Sequence, residues 1–279
     1  MDKTIILSPQ GGLANRMRAI TAAYELAKAT KHKLRVLWVR DSGLNARFDQ
    51  LFEPTKLCEI EEVSCWKRLA YVPPRKKNLF IPLMFQRGYG QVFYDPQLTK
   101  ILSEGNQRHT LPSMIGRGSA FIASGLGFFP ADDKLFRKFF IPKADIREEI
   151  ERRTAKFHKT TVGIHIRRTD NKYSIKNSPF EFFIKRMREL KGCQFYLATD
   201  DEIVRRYLVQ AFSGRILSST NKASRNSIKG MKEAVCELFT LANTDYFLGS
   251  YYSSFSDLVL AMGTCGEIIS VCHTERPYK

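Results

Sequence analysis

Thr161-Val162-Gly163-Ile164-His165-Ile166-Arg167-Arg168-Thr169-Asp170 is an apolar run that ends in a burst of charge. On an extended chain, alternation puts Val162, Ile164 and Ile166 on one face and Gly163, His165 and Arg167 on the other. Downstream, Ser178-Pro179-Phe180-Glu181 carries a helix start, with Ser178 as cap, Pro179 first in the helix and Glu181 closing a capping box. Phe180, Phe183, Ile184, Met187 and Leu190 form one apolar face, and Gly192 is placed to end the helix. A strand over 195–198, a helix from Asp200-Asp201 to Phe212 and a helix over 231–242 follow. A strand over 246–248, a helix over 256–262 and a strand over 268–271 complete the series. Repeated strand–helix alternation predicts a parallel sheet covered by helices on both faces.

Upstream, residues 4–8 are a short apolar run closed by Pro9-Gln10-Gly11-Gly12. Leu13, Met17, Ile20, Tyr24 and Ala27 then recur at helical spacing, and residues 34–39 read as a buried strand, so a second βαβ unit opens the chain. Between residues 41 and 142 the pattern weakens. Pro73-Pro74, isolated glycines and short aromatic runs predict irregular connections with some helix and strand. Residues 148–156 read as a charged, exposed helix or hinge between domains. The expected division is therefore 1–152, a Rossmann-like domain, and 153–279, a second one. A chain of 279 residues with 43% hydrophobic content is long enough for two cores.

Lys plus Arg number 45 against 28 acidic residues, a formal charge of +17, which favours an anionic partner: nucleic acid, a phosphorylated ligand or an anionic membrane surface. No stripe of aromatics interleaved with basic residues and no nucleic-acid motif is present, so nucleic acid is not expected. Cys58, Cys65, Cys193, Cys236, Cys265 and Cys272 lack the spacing of a zinc site or disulfide framework, which suits reduced thiols. The first apolar run is too short for a signal peptide or membrane span. These readings predict a cytoplasmic protein, at most peripheral to a membrane.

In a parallel sheet, ligands collect beyond the carboxyl ends of the strands. Three consecutive strands here end in Arg167, Arg168, Thr169 and Asp170; in Thr199, Asp200 and Asp201; and in Gly249, Ser250, Ser253 and Ser254. Arg167 is the candidate for a bidentate grip on phosphate, which the guanidinium fork suits, and Arg168 points elsewhere, toward a structural role. Asp200-Asp201 resembles a metal-holding pair, but at a helix start capping accounts for it, and with no third oxygen ligand apparent no metal is predicted. Ser253-Ser254-Phe255-Ser256 is a cap signature whose hydroxyls and N–H groups also suit a phosphate. Gly11-Gly12 lacks both the dinucleotide and the P-loop patterns, while Gly12, Asn15 and Arg16 stand where a cleft ligand could approach.

Gly163 through Asp170 resembles the HxRRxD motif of the GDP-fucose transferases, most closely the α-1,6-fucosyltransferase branch that includes the rhizobial nodulation enzymes. Residues 195–201 resemble that family's second motif, and the stretch from Glu237 through Asp245 to Ser253-Ser254 resembles its third. Gly11-Gly12-Leu13-Ala14-Asn15-Arg16 is similar to the GGxxNR-type turn of the wider superfamily. The resemblance covers the last 120 or so residues well and the first 20 loosely. It implies a GT-B-like fold, two Rossmann-like domains with parallel sheets facing a cleft, the first serving the acceptor and the second the nucleotide sugar. It implies inverting, metal-independent transfer of fucose from GDP-fucose to a glycan or glycolipid acceptor. Arg167 then meets the donor β-phosphate, His165 lies near the nucleoside, Glu237 stands where the family has an Asp for the guanine edge, and Ser253 or Ser254 meets phosphate. Arg168, Asp200 and Asp201 complete the donor side. Asn171 stands where the branch has Lys, and residues 172–175 carry no carboxylate, so Asp170 is the acid at hand for the acceptor hydroxyl. A non-catalytic nucleotide- or glycan-binding relative and a basic nucleic-acid-binding protein are the alternatives. Donor turnover separates the first from an enzyme, and saturable, salt-insensitive GDP binding excludes the second.

Overall fold

A computed structural model describes residues 3–64, 66–158, 160–169, 172–263 and 266–267. The chain forms two compact units. Among the described residues, the first runs to Ile141 and includes Arg225–Ile228; the second holds Pro142–Ser224 and the residues from Lys229 to Glu267. The division precedes the expected 152/153 boundary because helix Ala144–Thr154 belongs to the second unit. That helix is not merely an exposed hinge. Ile146 and Ile150 are buried, and Arg153 reaches both Glu233 oxygens at 2.8 Å and the Tyr196 hydroxyl at 3.0 Å.

In the first unit the elements are β1 (Thr4–Pro9), α1 (Leu13–Thr30), β2 (Lys33–Val39), β3 (Glu59–Val63), α2 (Pro82–Gln86), β4 (Gln91–Tyr94), α3 (Asp95–Ser103), α4 (Gln107–Ile115), β5 (Ala120–Ser124) and α5 (Lys134–Phe139). The five strands run parallel in the order β3-β2-β1-β5-β4. Gly11, at φ +81°, makes the left-handed turn that takes β1 into α1, a conformation open to glycine at little cost. The apolar stripe of α1 then buries Leu13, Met17, Ile20 and Ala27, as its spacing predicts. Between residues 41 and 142 the chain supplies three of the five strands. β5 lies beside β1 with every residue buried, so it carries no apolar–polar alternation by which a strand is recognised.

The second unit comprises α6 (Ala144–Thr154), β6 (Thr161–Ile166), α7 (Lys172–Asn177), α8 (Phe180–Glu189), β7 (Gln194–Thr199), α9 (Glu202–Ala211), β8 (Ile216–Ser218), α10 (Ile228–Leu241), β9 (Tyr246–Leu248), α11 (Ser254–Met262) and β10 (Gly266–Glu267). Its sheet is also parallel, in the order β10-β9-β6-β7-β8. The strand expected over 268–271 lies outside the described residues. Val162, Ile164 and Ile166 pack with Phe183 and Met187 of α8 and Val204 and Leu208 of α9. On the opposite face only glycine fits at 163, since a Cβ there would come within 2.7 Å of Thr244 Oγ1. Ser178 does not cap α8. Pro179 occupies the cap position without a side-chain bond, and Ser178 Oγ instead accepts from Tyr251 N at 2.8 Å. The buried hydroxyl therefore ties the start of α8 to the loop after β9.

In each sheet the strand order reverses at one strand, β1 in the first and β6 in the second. The carboxyl end of such a strand opens into a crevice, because the connections on its two sides leave in opposite directions. His165 and the residues after it stand at the crevice of the second sheet.

Candidate functional site

All six residues of β6 are buried, and the chain leaves it at Arg167 under tight control. Ser250, from the loop after β9, accepts from Arg167 N at 3.0 Å and donates to the His165 carbonyl at 3.0 Å. From the end of β7, Asp200 accepts from Arg168 N at 2.7 Å, Thr169 N at 3.4 Å and Thr169 Oγ1 at 2.7 Å. Two neighbouring strands thus hold the backbone that presents Arg167. Its side chain is one-fifth exposed, with Nε 3.8 Å from Asp200 Oδ2. That distance is electrostatic guidance more than a hydrogen bond.

Arg168 turns away, as alternation requires. Its Nη1 approaches the Ile175 carbonyl at 3.5 Å and its guanidinium lies 5.8 Å from the Phe180 ring centroid. Burial lowers its pKa, against the opposing charges of Glu181, Asp201 and Asp200. These contacts give Arg168 a structural role between the loop and the helices that follow.

His165 is buried with Nδ1 and Ser256 Oγ as hydrogen-bond partners at 2.8 Å, and its ring packs on Phe255 at 4.8 Å. Burial first, and the charge of Arg167 second, lower its pKa to about 4, with Asp200 acting in the other direction. The imidazole is therefore neutral at physiological pH, and the nearby positive charge is that of Arg167.

The two aspartates divide their work. Asp201 Oδ1 accepts from Ile203 N at 2.8 Å and Val204 N at 3.2 Å, the cap of α9, whereas Asp200 pins the loop after β6. Among the described residues no group of three or more His, Cys, Asp or Glu could hold a metal ion. Ser253 caps α11, its Oγ accepting from Ser256 N at 3.5 Å. Ser254, the first residue of α11, is half-buried, and Tyr252 before it adopts φ +54°. This left-handed residue turns the loop after β9 into the helix, whose first N–H groups lack intrahelical partners. Asp170 lies outside the described residues.

Glu237, on α10, is buried. Burial and then the charge of Glu233 raise its pKa to about 8, opposed by Arg205 and Arg153. Its neighbours Glu233, Arg153, Tyr196 and Arg205 were not singled out by the sequence, because a polar cluster drawn from α6, β7, α9 and α10 leaves no local pattern. Ser250 stood among the strand-end residues in the sequence, but its role as a bridge was not legible there. Its importance lies in bridging two points of β6, which are distant from it in sequence.

In the first unit, Arg16 is fully buried. Its Nε donates to the Gly11 carbonyl at 2.8 Å, Nη1 donates to the Val39 carbonyl, Nη2 pairs with Asp41 at 2.8 Å, and the guanidinium lies 5.3 Å from the Trp38 ring centroid. Arg16 thus ties the turn after β1 to the end of β2. Gly12 and Asn15 are half-buried beside it. Cys58, Cys193 and Cys236 are free thiols. No helix among the described residues is long and apolar enough to cross a membrane.

No protein-family model and no curated protein matches the sequence. Solved structures do. The chain is similar to the fucosyltransferase NodZ from Bradyrhizobium, with a TM-score of 0.68 at 15% identity over 94% of this chain and 93% of that one. It is similar to NodZ α-1,6-fucosyltransferase soaked with GDP-fucose, with a TM-score of 0.66 at 15% identity over 94% and 93%. A mutant of Arabidopsis thaliana FUT1 in complex with GDP gives 0.64 at 15% identity, over all of this chain and 72% of that one. POFUT1 in complex with GDP gives 0.53 at 13% identity, over 97% of each chain. These neighbours are GDP-fucose transferases of the GT-B fold, and the fold class expected from the sequence is the one they share.

Proposed function

We propose that this chain is a glycosyltransferase that moves fucose from GDP-fucose to a glycan or glycolipid acceptor, with inversion and without a metal ion. The observation that carries the reading is Arg167, partly exposed at the sheet's switch point on a backbone held by Ser250 and Asp200. The solved complexes of NodZ with GDP-fucose and of POFUT1 with GDP support the donor class. The second unit takes the donor in this reading, and the first is assigned the acceptor.

Inverting transfer needs three things: an acceptor hydroxyl that loses its proton, a sugar carbon open to attack, and a stabilised leaving group. As the bond to the diphosphate breaks, negative charge builds on the oxygen nearest the sugar. Arg167 meets that charge with a planar fork, and the N–H groups at the start of α11, with the Ser254 hydroxyl, add dipoles of the same sense. Two local cations or dipoles fixed before the reaction need no reorganisation as charge develops. Asp200 and Asp201 each accept backbone N–H groups, so both have a structural task that calls for no metal. Neutral His165, oriented by Ser256, flanks the nucleoside without adding a second cation. Glu237 is assigned the guanine edge, where the neutral acid implied by its raised pKa accepts a guanine N–H through its carbonyl oxygen. Asp170 is assigned the proton of the acceptor hydroxyl.

Labelled GDP-fucose, offered with a panel of sugar acceptors, tests the reading. The wild type should hydrolyse or transfer fucose, and Arg167→Ala should turn over about 10²–10³-fold more slowly, the loss typical of one oxyanion-stabilising contact. Saturable GDP binding with no turnover on any acceptor would leave the non-catalytic relative in its place.

A further inference from the structure

The first unit carries a surface that the transfer chemistry does not use. Seven of the sixteen exposed large hydrophobic side chains among the described residues lie between residues 66 and 85. Trp66 is 80% exposed, Leu79 79% and Met84 73%, and Phe80, Leu83 and Phe85 are exposed beside them. The stretch 66–90 also contains Lys67, Arg68, Arg75, Lys76, Lys77 and Arg87, all exposed, and no Asp or Glu.

This stretch is built, not loose. Gln86 of α2 is buried, and its Nε2 donates to the carbonyls of Ala70 at 2.8 Å and Val72 at 3.1 Å. Tyr94 in turn donates to Gln86 Oε1. These bonds clamp α2 against the 3-10 turn Arg68–Tyr71 and both against the end of β4. Between them, Asn78 closes a tight turn, accepting from Arg75 N at 2.8 Å and donating to the Pro73 carbonyl at 3.0 Å. Leu79 and Phe80 follow in the left-handed region, at φ +51° and +55°. Two successive branched or bulky residues are rarely held there, and here the turn points both side chains at solvent.

We infer that this platform docks the protein on an anionic lipid surface. Exposed aliphatic and aromatic side chains gain by entering the acyl boundary, and the surrounding cations gain from anionic headgroups. Either signal alone binds weakly, while the two together anchor a peripheral protein. The absence of any acid from the stretch supplies the charge complementarity. A nucleic acid would use the cations and rings but has no use for exposed Leu and Met. The inference is independent of the proposed transfer activity, since none of these residues is assigned to donor or acceptor.

Trp66 gives a direct readout, because the protein's other tryptophan, Trp38, is fully buried. The full chain is mixed with vesicles of phosphatidylcholine alone, or of phosphatidylcholine with phosphatidylglycerol. Co-sedimentation with the anionic vesicles only is expected, with a blue-shifted emission that Trp66→Phe removes. Lys76→Ala with Lys77→Ala should weaken binding about fivefold per cation removed. Met84→Ser with Phe85→Ser should abolish the part of binding that survives high salt. Both double variants should bind GDP as the wild type does, which separates this test from that of the donor site. The inference is overturned if anionic vesicles do not sediment the protein, or if neither double variant changes binding. It is equally overturned if the blue shift appears without vesicles as the protein self-associates, or if only an oligonucleotide is bound.

Discussion

Arg167 and Arg168 are adjacent and chemically identical, yet the strand that delivers them sends one to a partly exposed position and the other onto Phe180. Alternation predicted that divergence from the sequence alone. What alternation could not give is protonation, since that depends on burial and on charges brought together by the fold. His165 and Glu237 make opposite demands on pH. His165 has a folded pKa of about 4, below its ordinary value near 6.5, so its contribution is complete above pH 6.5 and is lost as pH falls toward 4. Glu237 has a folded pKa of about 8, above its ordinary value near 4.5, so its contribution is complete below pH 4.5 and is lost as pH rises toward 8. The two oppose one another between pH 4.5 and 6.5, and Glu237 acts alone from 6.5 to 8. Urea denaturation across that upper window should show stability falling with pH in the wild type. Glu237→Gln should remove about one proton's worth of that slope. An unchanged slope would mean that Glu237 is ionised in the folded protein.

At the scale of elements, the sequence announced where helices begin more reliably than it announced what each starting residue does. Asp200-Asp201 read as one capping pair, but only Asp201 caps α9, while Asp200 holds the loop of a neighbouring strand. Asp201→Ala should therefore cost about 1 kcal/mol of stability and leave GDP affinity unchanged. Asp200→Ala releases the backbone under Arg167, and calorimetry should show weaker GDP binding. Equal loss of GDP binding in both variants would contradict this division. Ser178 carries the same lesson: a capping signature was present, and the hydroxyl went to the Tyr251 backbone instead. Helices with one apolar face were legible because their periodicity is written locally. The wholly buried β5 was not, nor were the short strands β4 and β8, because strand identity there comes from pairing with distant partners.

For the whole molecule, the parallel α/β class followed from strand–helix alternation, but the division between units did not follow from charge. Residues 148–156 looked like a solvated linker, and Arg153 within them is one of the most deeply used cations of the second unit. Its partner Glu233 is equally buried, with side-chain exposures of 7% and 5%. Arg153→Met would leave a buried carboxylate unpaired, and the second unit should lose about 3–5 kcal/mol in urea denaturation. Adding Glu233→Met should recover much of that loss, since two apolar side chains of similar volume often replace a buried pair without penalty.

The account stands on one guanidinium meeting the charge of a nucleoside diphosphate, and calorimetry of GDP against the wild type and Arg167→Ala measures that contact directly. The account predicts saturable GDP binding by the wild type, stronger than that of UDP, and at least tenfold weaker GDP binding by a variant that remains folded, as expected for loss of a charge-assisted contact of about 1.5–3 kcal/mol. Equal GDP affinity in the two proteins would contradict it.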